Sequence, residues 1–86
     1  MAIVFEETNE PVEVLSHFEN GRVHPLRFRW RGRVYKVQKV HGNWSQPKGL
    51  EREHHFAVTA DNSDTFELVF DTTDFRWRIA RVVTEG

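Results

Sequence analysis

Cysteine is missing from the 86-residue chain, which excludes disulfide staples and thiolate metal sites alike. Long apolar runs are missing too, and no stretch is apolar enough to cross a bilayer as a helix. The start, Ile3-Val4-Phe5 followed by Glu6 and Glu7, lacks the basic region and extended apolar stretch of a secretory signal. Together with the absent thiols, this leads us to expect a cytoplasmic protein that does not enter a membrane. Proline and glycine are few, three and five, and scattered, and no repeat or low-complexity tract interrupts the chain.

What is present suits one small β-domain. Charged residues make up 29% and aromatic residues 13%, too many rings and too balanced a charge for a disordered chain. A domain of this size buries only roughly 60–65% of its unfolded surface, so its seven phenylalanines, three tryptophans and one tyrosine must carry much of the core. We expect a loose N-terminal arm over residues 1–10, one domain over 11–83, and a short tail over 84–86.

The formal charge of −1 hides an asymmetry. Residues 1–20 carry five glutamates and no lysine or arginine, residues 21–52 carry nine bases against Glu51 alone, and the remainder is again acidic. A basic centre in a neutral chain can offer a local anion-binding face, because screened fields still act over about 8–10 Å. The plainer alternative is that these charges solvate the domain and keep its strand edges from pairing.

Apolar residues alternate with period two, the mark of half-buried antiparallel strands. Leu26, Phe28 and Trp30 alternate with Arg27, Arg29 and Arg31, and Phe56, Val58 and Ala60 with His55, Ala57 and Thr59. The same holds around Phe66, Leu68 and Phe70, and around Phe75, Trp77 and Ile79. An earlier strand, Pro11 to Ser16, points Val12 and Val14 inward and turns over at Glu19-Asn20-Gly21.

Parity then sets registers. A tight turn at Arg31-Gly32 pairs Trp30 with Arg33, Phe28 with Tyr35 and Leu26 with Val37. A three-residue loop, Asn62-Ser63-Asp64, pairs Ala60 with Phe66 and Val58 with Leu68, with Asn or Asp in the left-handed position. A loop at Thr72-Thr73, or a four-residue version over Asp71 to Asp74, pairs Phe70 with Phe75 and sets Glu67 opposite Arg78. A bulge near Gln38-Lys39 returns Val40 to the core, and His41 to Arg52, with Gly42, Pro47 and Gly49, reads as the one long loop. The three hairpins agree on one inner face, so the expected fold is all-β: a single curled antiparallel meander of five or six strands forming a small open barrel.

Chemistry is sparse. His54 and His55 are adjacent in a strand and point to opposite faces, so they cannot share a metal, and His17, His24 and His41 have no carboxylate at ligand spacing. His55 reads as a surface residue near Asp71. No serine has a nucleophile-elbow context, no glycine-rich phosphate loop occurs, and a core filled with rings leaves no room for the usual ligand pocket of about 300 Å³ or more. We therefore expect no catalytic, cofactor or metal site and no enzymatic activity.

The arginines are more informative. Arg27, Arg29, Lys36, Arg76 and Arg78 all point away from the core in this register, and they form one patch if the last strand approaches the second. Arginine suits phosphate because its planar fork donates two parallel hydrogen bonds. Trp44, flanked by Lys48 and Arg52, is either a stacking ring for a single strand or a plug for one end of the barrel. Glu67 on the same face, and the lack of an outward row of rings, weigh against a stacking surface.

The string Arg27-Phe28-Arg29-Trp30-Arg31-Gly32-Arg33 with Tyr35 and Val37, then Phe66-Glu67-Leu68 with Asp71, and the closing Trp77 with Arg81-Val82-Val83, resembles a small bacterial domain of unknown function. That domain occurs alone or together with Y-family translesion DNA polymerases. The resemblance spans roughly Pro11 to Val83 and implies a compact β-domain in a DNA-repair setting, without catalytic residues. The acidic start and the Gly42–Arg52 segment depart from the pattern. Two functional expectations follow: an accessory module that contacts single-stranded nucleic acid or a DNA-processing protein through Arg27, Arg29, Lys36, Trp44, Lys48, Arg76 and Arg78, or a protein-interaction domain that pairs through an edge strand or the 42–52 segment.

Overall fold

The computed structural model describes residues Ile3–Glu85; Met1, Ala2 and Gly86, parts of the expected arm and tail, lie outside the described residues. The chain is all-β, with six strands in sequence order: β1 (Ile3–Glu19), β2 (Arg22–Trp30), β3 (Arg33–Lys48), β4 (Glu51–Ala60), β5 (Thr65–Asp71) and β6 (Arg76–Glu85). Each strand is antiparallel to the next, giving the expected meander, and β6 returns to β1 so that the hydrogen bonding runs round a closed ring.

Ring closure depends on the length of β1, which spans 17 residues. Its first half, from Ile3↔Glu85 to Val12↔Trp77, pairs with β6, and its second half, from Glu13↔Arg29 to Glu19↔Arg22, pairs with β2. Residues 3–7 and Glu10 of the expected arm thus lie in a ladder. The crossover bends at a bulge between Glu7 and Glu10, where Asn9 takes a positive φ of 50° and Thr8 Oγ1 donates to the Ile79 carbonyl at 2.6 Å.

Turn chemistry explains which sequence registers hold. Asn20-Gly21 (φ 50° and 74°) and Arg31-Gly32 (φ 51° and 76°) are left-handed at both central positions, the type I′ geometry that matches strand twist. The β2–β3 register is accordingly the expected one, with Trp30↔Arg33 and Phe28↔Tyr35. Leu26 differs: the β1–β2 ladder skips it between Leu15↔Arg27 and Ser16↔Pro25, so it is extruded to solvent and Pro25 is buried instead.

The next two hairpins keep the inner face but shift by two. The β4–β5 loop is Asp61-Asn62-Ser63, closed by Ala60 N–H to the Asp64 carbonyl at 3.0 Å, with Ser63 rather than Asn or Asp in the left-handed position (φ 71°). Val58 therefore faces Phe66 and Phe56 faces Leu68. The amide of Asn62 bonds both the backbone N–H (3.1 Å) and the carboxylate (2.8 Å) of Asp64, an Asx turn that fixes this loop. In the β5–β6 hairpin, Asp71 Oδ1 accepts from Thr73 N–H at 2.8 Å and Asp74 Oδ1 from Arg76 N–H at 3.1 Å. The loop becomes Thr72–Phe75, Phe75 is expelled to solvent at φ 59°, and Phe70 pairs with Trp77.

The segment expected as a long loop, residues 41–52, is a hairpin. β3 and β4 pair to their ends at Lys48↔Glu51, around Gly49 at φ 60°, and glycine at the first central position is the type II′ requirement. Bulges between Val37 and Lys39 and between Val40 and Gly42 bend β3, and Val40 emerges partly exposed rather than in the core.

Inside the ring, Phe28 stacks on Tyr35 at 5.1 Å, and Phe66 stands edge-on to Phe28 (4.9 Å) and Trp30 (5.8 Å). Val58, Ala60, Leu68, Ile79 and Val82 fill the remaining space. Full burial of one such ring stabilises by roughly 1.5–3 kcal/mol, so these few side chains carry much of the fold.

Candidate functional site

Three surfaces carry the polar chemistry. The first is the outer face of β2 and β3. Arg27 lies directly across from Lys36, Arg29 lies two residues along β2, and all three are exposed. Among the described residues, no carboxylate lies within ion-pair distance of any of them. Leu15 and Val34, also exposed, line a shallow depression of about 240 Å³ with Arg27, Arg29 and Glu13. The neighbouring Arg31 is not available in the same way. Glu10 clamps it at 2.6 Å and Glu6 at 3.2 Å, and the Glu10 carboxylate, which also accepts from Trp30 Nε1, titrates below its ordinary range because of Arg31.

The second surface is the outer face of β3–β6, where the structure departs most from expectation. His55 is not a surface residue: it is only 6% exposed. Trp44, its register partner on β3, stacks over the imidazole at 5.2 Å and 15°, so the indole neither plugs the ring nor stands free. Beneath it, His55 Nδ1 meets Glu67 Oε2 at 3.0 Å, and Nε2 lies 3.6 Å from Glu53 Oε1 with no hydrogen-bond partner. Glu53 takes Arg78 at 2.9 Å, and Glu67 takes Arg81 at 3.2 Å instead of the expected Arg78. Lys48 bonds Asp71, which is buried. The Lys48 ammonium, with the Thr73 N–H, holds the Asp71 carboxyl down at about 2, and Asp71 in turn raises Lys48.

The expected five-residue basic patch is therefore divided. Arg27, Arg29 and Lys36 stay together on one side. Trp44, Lys48 and Arg78 come together on the other, where both cations are neutralised, and Arg76 sits at the β5–β6 turn opposite Asp71. β1 stands between the two groups, because β6 pairs with β1 and not with β2.

The third surface is a cleft of about 960 Å³ at the mouth of the ring, between the β1–β2 and β3–β4 hairpins. Phe18, Phe56, Phe70 and Val40 supply its apolar walls, and Arg22, Glu19 and the imidazoles of His24 and His54 line it as well. A ring-filled core gives no sign of such a cleft. It exists because β3 bends away from β2 after Lys36 and opens one end of the ring.

Among the described residues, no cluster of three or more His, Asp or Glu stands where a cation would bind, and no helix is long and apolar enough to cross a membrane. No curated protein and no solved structure matches the chain. A family model described as a domain of unknown function (DUF6504) does match, over residues 4–84. Nearly the whole ring lies within that match, and the chain belongs to this family.

Proposed function

We propose that the chain is a non-enzymatic, cytoplasmic binding module whose β2–β3 outer face holds single-stranded nucleic acid through its phosphates. The observation that carries this reading is the side-by-side placement of Arg27, Arg29 and Lys36, exposed and with no carboxylate at ion-pair distance among the described residues, whereas Lys48, Arg78 and Arg81 around the β3–β6 face are neutralised. Three cations on one strand pair can follow a phosphate backbone, and exposed Leu15 and Val34 offer apolar contact between them. The resemblance to domains that accompany translesion DNA polymerases supplies the setting, in which the module would hold template strand or touch the polymerase near it.

Fluorescence anisotropy with a labelled oligothymidylate tests this. Three neutralised phosphates give a log–log salt slope near −2, so affinity should fall about twentyfold between about 50 and 200 mM salt. Arg27→Glu with Arg29→Glu should abolish binding. Absence of binding at the low-salt end, or binding that survives the double reversal, removes the reading.

The second reading, a protein-interaction domain, is favoured by one specific observation: the long β3–β4 hairpin carries a fully exposed Leu50 at its tip and an edge of β3 that no strand covers.

A further inference from the structure

The closed ring still has open edges at its mouth. β2 and β3 are joined only from Arg27↔Lys36 to Trp30↔Arg33. Beyond that ladder, among the described residues, residues 22–25 have strand partners only in β1 and residues 37–48 only in β4. Two unpaired edges therefore border the cleft. Proline placement agrees, since Pro25 and Pro47 lack the N–H that a central strand must donate and are tolerated where no neighbour pairs. They also limit where a new strand can add. The stretch of β3 from Gly42 to Gln46, beyond the second bulge, is free of proline.

We propose that this cleft takes an extended polypeptide segment of a partner protein, alternating apolar and polar side chains, which adds as a strand to the β3 edge between Gly42 and Gln46. Three features specify this occupant. An uncovered edge offers alternating N–H donors and C=O acceptors, which a peptide backbone matches group for group; a phosphodiester chain brings acceptors only. Alternate side chains of an added strand fall on opposite faces, so one set meets the apolar wall of Phe18, Phe56, Phe70 and Val40. Arg22 and His24 alternate with Val23 along β2 and so lie on its other face, where polar groups suit the other set.

The rings themselves argue against stacked bases. Phe56 and Phe70 are only 6% and 7% exposed and packed against Trp77, while Phe18 alone is open at 61%. The cleft is separate from the Arg27–Arg29–Lys36 face, and the assignment stands whether or not that face binds nucleic acid.

Selection from a displayed library of linear peptides of roughly ten residues tests the assignment, run in parallel on the protein and on a Phe18→Glu, Val40→Glu variant. Both positions are exposed, so the variant should keep the fold. The expected result is enrichment of alternating apolar and polar peptides on the parent alone. Binding should weaken by about tenfold or more in the variant and stay within about twofold in Arg27→Glu, Arg29→Glu. Amide exchange should slow within Gly42–Gln46 on binding, and N-methylation at alternate peptide residues should abolish both effects.

Failure to enrich any sequence over the variant overturns the assignment, as does slowed exchange confined to another surface. Undiminished binding of the N-methylated peptide overturns strand addition. Protection of the cleft by oligothymidylate in place of peptide overturns the choice of polypeptide. None of these outcomes touches the salt-dependence test of the β2–β3 face.

Discussion

The two charged outer faces of this ring hold similar residues in opposite arrangements. On β3–β6, Lys48, Arg78 and Arg81 each meet a carboxylate, and Glu53 and Glu67, both 14% exposed, close around buried His55 under the Trp44 ring. On β2–β3, Arg27, Arg29 and Lys36 are exposed and, among the described residues, none makes an ion pair, although Glu13 of β1 stands across from Arg29. The lesson is that charge by itself does not mark a binding surface. Cations whose partners are built in serve the fold, and those kept exposed without partners are free for something outside it. A buried network must be complete, because one missing partner leaves an uncompensated charge, whereas exposed like charges cost the fold little.

The comparison can be broken most forcefully at Glu53. Glu53→Ala leaves Arg78 without its partner and His55 with one carboxylate fewer, and should cost about 2–3 kcal/mol in urea unfolding. A loss below about 0.5 kcal/mol would mean that the β3–β6 face is no more structural than the other. Next comes Gly32→Ala in the turn that sets Arg27 against Lys36. At φ 76° the added methyl meets no atom but forces a left-handed alanine, and should cost about 1 kcal/mol through the backbone alone.

Acid titration sharpens the contrast further. Asp71 titrates at about 2, below its ordinary 3.8. A depressed carboxyl contributes stability that is complete above the ordinary value and is lost as pH falls toward the folded one. Lys48→Met should therefore move the Asp71 midpoint upward and weaken the protein's resistance to acid, with Thr73 N–H still holding part of the depression. Carboxyl NMR reads this directly, and an unmoved midpoint would show that Lys48 is not the main cause. The smallest effect belongs to the open face: Arg27→Glu with Arg29→Glu should change unfolding free energy by no more than about 0.5 kcal/mol. A large change would reveal hidden partners there.

Legibility in the sequence followed the same division. The β2–β3 hairpin could be read from Arg27 to Lys36, because Arg31-Gly32 permits one tight turn and parity does the rest, but not at Leu26, which a bulge turns outward. Its three basic residues were readable as a group for that reason. The inner face of β4, β5 and β6 was readable from alternation, but not the registers. Asx hydrogen bonds from Asn62, Asp71 and Asp74 chose the loops, and a shift of two leaves parity intact.

The Glu53–His55–Glu67 cluster was out of reach. An outward position in a strand normally means solvent, and only the unforeseen length of the β3–β4 hairpin brings Trp44 over His55. That hairpin itself was hidden because Gly42, Pro47 and Gly49 read as loop residues, while a strand with one uncovered edge tolerates them.

Long-range closure by β1 has a further consequence, for the order in which the molecule assembles. The ladder that begins at Ile3↔Glu85 joins residues separated by almost the entire chain, so its loop-closure entropy is lost before any of its contacts form. During synthesis the first half of β1 must wait for β6, with Ile3, Val4 and Phe5 presenting apolar side chains that stay largely exposed even in the finished ring. The earlier-made strand of this pair thus waits for the later one, and the acidic run after Phe5 (Glu6, Glu7 and Glu10) gives it like-charge repulsion against sister chains meanwhile.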